Sequence, residues 1–405
     1  MDIIDNEDFY KFIDTYKDCN ADALRLKGWK DADFDVKFAI LQIECRKKVA
    51  SKIPELNGNG RFLYPSLLLA EQCTSQIVAQ YHATLFDGCE SVLDMTAGLC
   101  VDSYYISKRV DNVTALEIDD YSAMIDTLNM NRIAPNVKVL CCDSANYIQG
   151  DVACTTHDAI FIDPARRGTN NSRVYAISDC NPDIIPLLSF IRNRCKFLII
   201  KASPMIDITD TLNRIDNVSD VWVIGVKNEC KELLYKVDFG TEGGVIKCEV
   251  HTINFDGCGK QEFSYELSAD KDSTTMPLIM PSVGDYLYEP NCCLMKAGSF
   301  RELSYTYSEM RKLHNNTHLY VAHSRVEKFP GREFRIEQII PFKDKAIKRF
   351  HEEYPQINVS VRNFKLSANQ LKDRLRVRDG GDKYLFGVTL EDDSMALIVA
   401  TKAIS

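Results

Sequence analysis

The spacings that hold a metal are missing from this sequence. No two of its 15 cysteines stand two residues apart, and its 7 histidines form no HExxH. The adjacent pairs Cys141/Cys142 and Cys292/Cys293 lack a further Cys or His at zinc-site spacing. No metal is therefore expected. Long apolar runs are missing too: no stretch approaches the roughly 20 apolar residues that a bilayer-spanning helix needs. The start, MDIIDNEDFYKF, is acidic and has neither the basic region nor the apolar block of a secretory leader. These absences predict a soluble, cytoplasmic protein with no membrane partner. An odd number of cysteines in such a chain reads as reduced thiols.

What is present is globular material for about two or three domains, at roughly 150 residues each in 405. Apolar residues make up 45% and charged residues 26%, an ordinary folding mixture. The formal net charge of −9 argues against a nucleic-acid coat, yet it hides a basic segment. From Arg325 to Arg378 there are 14 Lys/Arg against 7 Asp/Glu, which puts +7 there and −16 on the remainder. A module that meets a phosphate backbone needs such segregation; a solvated basic face is the other reading.

Along the chain, residues 1–85 read as helical. Phe9, Phe12, Ile13 and Tyr16 fall at helical spacing, Phe38, Leu41, Ile43 and Cys45 less cleanly. PELNGNG is turn material, and Ser66 to Phe86 carries a long helical pattern. From Ser91 six short apolar runs alternate with helical patterns: SVLDM, VTALEID, VKVLCCD, AIFIDP, FLIIKA and VWVIGV. Such alternation predicts parallel βαβ units, an α/β doubly wound sheet over 86–255, with KELLYKVDF and IKCEVHTINF as antiparallel end strands. Residues 256–328 read as a small α+β unit with a helix starting at Pro290. Residues 329–405 read as strand, helix, strand, helix, strand, strand. Ser367 with Gln370 three residues later predicts a capping box, with Leu371 and Leu375 as the buried stripe. Arg374, Arg376 and Arg378 then leave basic surface in water.

Open α/β sheets bind ligands at the carboxyl ends of their strands. Four successive runs end in acids here: Asp94, Glu117, Asp143 and Asp163. Asp94 leads into a turn of small residues, Thr96, Ala97 and Gly98, which lets backbone approach a ligand. Glu117 stands where a carboxylate accepts bonds from ribose hydroxyls, and Ile118 can pack on a base. Asp143, followed by Ser144, can accept from an adenine amino group. Each has a plainer reading: Asp94 and Asp102 as turn or cap residues, Glu117 as an ordinary strand-end acid, Asp143 as an N-cap.

These residues resemble the class I S-adenosylmethionine-dependent methyltransferases, whose first motif looks like Asp94 to Cys100 and whose fourth looks like Asp163-Pro164-Ala165-Arg166. Thr96 and Cys100 stand where many members have glycine. More narrowly, DMTAGLCVDS, IFIDPARRG, NPDI, KASP, LYEPN, LMKAG, RNF and GGDKYLFG resemble a bacterial family of such enzymes. That family carries a helical N-terminal region, a DPARR motif, a small ferredoxin-like unit and a C-terminal THUMP-like domain. The resemblance implies a Rossmann-like sheet, S-adenosylmethionine held by Asp94, Thr96, Ala97, Gly98, Glu117, Ile118, Asp143 and Ser144, and transfer at Asp163, Pro164 and Arg166. It also implies structured RNA, rRNA or tRNA, as partner, with Arg167, Arg374, Arg376 and Arg378 gripping it.

Asp163 could accept a hydrogen bond from an amine or ring N–H, and Arg166 and Arg167 could clamp a phosphate or stack on a base. Carbon methylation through a cysteine adduct lacks its nucleophile, because Lys201-Ala202-Ser203-Pro204 has no cysteine and Cys180 lies beside Asp179. The reading is a base-nitrogen RNA methyltransferase. Its rivals are a non-catalytic RNA-binding protein that keeps the fold, a methyltransferase of protein or small molecule, and a nicotinamide oxidoreductase, which would want GxGxxG where TAGLCVD has one glycine.

Overall fold

The apolar spacing at Phe9, Phe12 and Ile13 becomes helix α1 (Glu7–Tyr16) in the computed structural model, which describes residues 6–29, 32–150, 156–166, 176–240, 247–257, 259–267 and 278–403. Asn6 caps it by accepting from the backbone N–H groups of Asp8 and Phe9. Helix α2 (Val36–Val49), capped by Asp35, buries Phe38, Ile40, Ile43 and Cys45, and Phe38 stacks on Phe9 with ring centroids 5.8 Å apart. Pro54–Gly58, read as a turn, closes into one helical turn with proline at its start. The long helix expected over 66–86 is two: α3 (Leu67–Gln72) and α4 (Gln76–Thr84). The break falls at Cys-Thr-Ser, where hydroxyl side chains compete with helical bonding and Thr74 donates to Asp102 instead.

The chain forms two units, Met1–Val221 with Leu233–Ile246, and Trp222–Glu232 with Lys247–Ser405. In the first, strands and helices alternate: β1 (Ser91–Asp94), α5 (Val101–Ile106), β2 (Asn112–Glu117), α6 (Asp120–Ile133), β3 (Val137–Cys141), α7 (Ser144–Gln149), β4 (His157–Ile162), α8 (Ile184–Ile191), β5 (Cys195–Ala202) and α9 (Ile208–Arg214). Strands β3, β2, β1, β4 and β5 lie side by side, all parallel. The middles of β1, β2, β4 and β5, Val92-Leu93, Ala115-Leu116, Ile160 to Ile162 and Leu198 to Ile200, are buried, as expected of strands covered on both faces, while the edge strand β3 is half-buried or exposed at Lys138 to Leu140.

The sixth run departs from expectation. VWVIGV lies in β6 (Val218–Val226), and Lys227-Asn228, at φ 52° and 60°, turns the chain straight back into β7 (Glu229–Asp238). A two-residue loop cannot make a parallel crossover, and two positive φ values are what a tight hairpin needs. Accordingly β7, not β6, borders β5, antiparallel to it.

The second unit holds an antiparallel hairpin, β8 (Glu249–Phe255) with β9 (Lys260–Glu266), and a seven-stranded sheet. The sheet's strands are β10 (Tyr286–Pro290), β11 (Arg311–His314), β12 (Thr317–Ala322), β13 (Gly331–Pro341), β14 (Asn358–Arg362), β15 (Lys383–Thr389) and β16 (Met395–Lys402), in the order β11-β12-β10-β13-β16-β15-β14. Only β14 and β15 pair in parallel. Pro290 ends β10 rather than opening a helix. Asn291 caps α10 (Cys292–Ala297) through the N–H groups of Cys293 and Leu294. The first of the two helices expected in 329–405 is two single turns, Asp344–Ile347 and Phe350–Glu353. Helix α11 (Ala368–Leu375) carries the predicted capping box and buries Leu371 and Leu375 among Ile357, Leu385, Leu397 and Val399. Among the described residues no helix is long and apolar enough to cross a membrane, and every described cysteine is a free thiol.

Candidate functional site

Strand register places the four acids in phase. Asp94 is level with Ala115 on one side and Phe161 on the other, so Glu117 and Asp163 each stand two residues further along their own strands. Cys141 is level with Glu117, and Asp143 follows it by two. Side chains two apart share a face, so all four belong to one phase of the sheet's carboxyl end.

They are not equivalent. Asp94 is 1% exposed: it accepts from the Thr96 N–H at 3.0 Å and the Ser103 hydroxyl at 2.5 Å, and so shapes the turn from beneath. Burial pushes its carboxyl up to about 7 against the pull of those two bonds. The turn is hooked to both neighbours, Met95 N–H to Phe161 O and Ala97 N–H to Leu116 O, each 2.9 Å. Gly98 takes φ 56° with open space where a Cβ would stand, and Cys100, buried at φ 52°, enters α5. Glu117 is half-buried and receives the N–H groups of Gly98 and Asp119, both at 3.0 Å. Asp143 caps α7 by accepting from Asn146 N–H at 2.8 Å, with Ser144 as the first helical residue. Ile118 is left 66% exposed beside Glu117.

An adenosyl group fits these residues. An apolar side chain in water next to a strand-end acid can take a base face, and open space over a positive-φ glycine admits a ligand against the backbone.

The fourth motif opens toward solvent. Asp163, its side chain 42% exposed, donates its backbone N–H to Thr96 Oγ1 at 2.6 Å, which ties the first motif to the fourth. Pro164 is buried behind it and Ala165 is exposed. Ala165–Arg166 forms a two-residue ladder with Cys180–Asn181, and Cys180 is buried. The Arg166 side chain and all of Arg167 lie outside the described residues. Arg374, Arg376 and Arg378 are exposed in the second unit, where Arg374 pairs with Asp344.

Sequence reasoning missed the charges beneath Asp163. Lys201 Nζ lies 2.7 Å from Asp163 Oδ2, 2.8 Å from Thr74 Oγ1 and 4.0 Å from Asp102 Oδ2. Asp102 accepts from the Thr74 hydroxyl at 2.5 Å and is bonded to His82 Nδ1 at 2.8 Å. Burial alone would raise the Asp102 carboxyl; Lys201, His82 and Thr74 outweigh it and hold it at about 2. A signal for Lys201 existed, since it lies one residue before the end of the strand next to Asp163's and stands one step past the registered pair Ile162–Ile200.

Family models match a ferredoxin-like domain over 286–330 and a THUMP domain-like region over 331–402. A methyltransferase candidate of known structure from Porphyromonas gingivalis W83 is 30% identical, covering 98% of this chain and 98% of its own, with a TM-score of 0.88. This chain belongs to that methyltransferase family. Partial likenesses run to M. capricolum TrmK bound to S-adenosylhomocysteine, 10% identical over 40% of this chain and 68% of that one, TM-score 0.32. Another is an rRNA methylase from Streptococcus thermophilus, 13% identical over 40% and 93%, TM-score 0.29. No curated protein matches. In this methyltransferase the two matched domains share one sheet, because β10 of the first pairs with β13 of the second.

Proposed function

We propose that the protein transfers a methyl group from S-adenosylmethionine to a base nitrogen of structured RNA, rRNA or tRNA, without a covalent cysteine intermediate. The observation that carries this reading is the in-phase row of strand-end acids, with the Asp163-Pro164 turn tied to the first motif through Thr96. Bound S-adenosylmethionine would supply an electrophilic methyl on a sulfonium. Glu117 would receive the ribose hydroxyls, Ile118 would cover the base and Asp143 with Ser144 would meet its amino edge. Asp94, from below, would keep Thr96, Ala97 and Gly98 in the shape that lets a ligand approach. Asp163 would accept a hydrogen bond from the acceptor's N–H and so aim its lone pair. Asp163 would also be placed to receive the N–H proton that the acceptor nitrogen gives up on methylation. Alignment is the main task, because the sulfonium is a good leaving group.

Cys180 is 3% exposed, which disfavours a thiolate route. The THUMP-like region and the exposed Arg374, Arg376 and Arg378 support RNA as partner, and Arg166 and Arg167 would clamp a phosphate or stack on a base.

Three measurements test this. Calorimetry with S-adenosylmethionine should give saturable binding; none at millimolar concentration leaves an RNA-binding protein that has kept the fold. Nucleoside mass spectrometry of RNA from cells with and without the gene should show one methylated base lost. Asp163→Ala should then abolish transfer, with cofactor affinity near that of the parent protein; full activity would remove the fourth motif from the reaction.

A further inference from the structure

We propose that Lys201 is a positioning residue of the transfer site, holding the Asp163 carboxylate from below through a network anchored in the N-terminal helices. This rests on reading Asp163 as the partner of the methyl acceptor.

Lys201 is 8% exposed, and an ammonium so deep needs carboxylate and hydroxyl oxygens in good geometry to offset its lost hydration. It has them on both sides: Asp163 Oδ2 above, Thr74 Oγ1 and Asp102 below. One cation thus separates two carboxylates. Without it, Asp163 and Asp102 would face each other across a poorly hydrated gap, and Asp163, the only one of the pair near solvent, is the one that can swing away.

The anchor is remote in sequence. Thr74 sits in the break between α3 and α4, and His82 lies on α4, 0% exposed. Thr74 donates to Asp102 and receives Lys201, so its hydroxyl is used as donor and acceptor at once. The N-terminal helices therefore reach the fourth motif through two side chains, which gives their broken helix a use. Asp163 is the member of the network open to solvent, and His82 is buried.

The test uses the full-length protein, tritiated S-adenosylmethionine, and total RNA from cells lacking the gene. Lys201→Met should lower turnover by about 100-fold, the penalty of a misplaced reacting group. The dissociation constant for S-adenosylhomocysteine should move by less than about threefold, a change small on the affinity scale. Lys201→Arg, which keeps the charge, should recover turnover to within about tenfold of the parent. Near-parent turnover in Lys201→Met overturns the proposal, as does cofactor affinity falling in step with turnover. Should Lys201→Met fail to fold, Thr74→Val decides: turnover reduced with cofactor affinity intact supports the network, and unchanged turnover overturns it. If the parent protein methylates no RNA, the proposed function has failed instead. Positioning is then read from crystal structures of the parent and variant. An Asp163 carboxylate that stays within about 0.5 Å after the lysine is removed overturns it; a larger displacement supports it.

Discussion

Glu117 joins two tasks in one side chain. Its oxygens receive the Gly98 and Asp119 N–H groups, and the same carboxylate is proposed to meet the ribose. Glu117→Ala should weaken S-adenosylmethionine by about 1.5–3 kcal/mol, the scale of hydrogen bonds to a charged group, read by calorimetry. An unchanged dissociation constant would refute the ribose role. Asp94 makes a separate, pH-dependent prediction. Its carboxyl titrates near 7 when folded, against about 3.9 in an unfolded chain. Between those values the native chain keeps a proton that the unfolded chain has lost, so this group's contribution to stability falls as pH rises from about 4 to about 7. Asp94→Asn has nothing to ionise. Its denaturation midpoint should therefore gain on the parent's across that window, and parallel curves would mean that Asp94 does not hold the proton.

Elements here begin and end where local side chains say so, and the exceptions have causes. The Ser367–Gln370 capping box formed as the spacing predicts, since both of its bonds are local. Ser367→Ala should cost about 1 kcal/mol, seen as faster amide exchange over residues 368–375 with cofactor binding untouched. Protection equal to the parent's would show the cap to be redundant. The α3–α4 break was not legible, because the bonds made there are not local: the Gln76 N–H goes to Lys52 O and the Thr74 hydroxyl to a carboxylate 28 residues away. Likewise, the run VWVIGV reads as a parallel strand until the Lys227-Asn228 turn is seen to take positive φ at both residues, neither of them glycine.

At the scale of the molecule, the +7 of the basic segment is less bare than a count implies. Arg325 pairs with Glu333, Arg332 and Arg362 with Glu289, Lys372 with Asp379 and Arg374 with Asp344. Arg376 and Arg378 are exposed, with no salt bridge to either among the described residues. Reversing the charge of Arg374, Arg376 and Arg378 together should lower RNA affinity and flatten its salt dependence, by roughly 0.7–0.9 in log–log slope for each phosphate no longer neutralised. Arg374 should count least, since its charge is already offset on the surface. A slope that stays put would move the RNA grip elsewhere.

Periodicity and spacing by themselves determined the alternation of strand and helix from Ser91, the acid closing each of four successive runs and the capping box. Each depends on neighbours a few residues apart, or on the constant two-residue repeat of a strand. Tertiary structure alone decided that Asp94 turns inward while Asp163 faces solvent, that β7 rather than β6 borders β5, and that Thr74 and Asp102 meet Lys201. Burial, and contacts such as that of Lys201 with Thr74, 127 residues away, leave no local pattern, because the partners are chosen by packing and not by spacing.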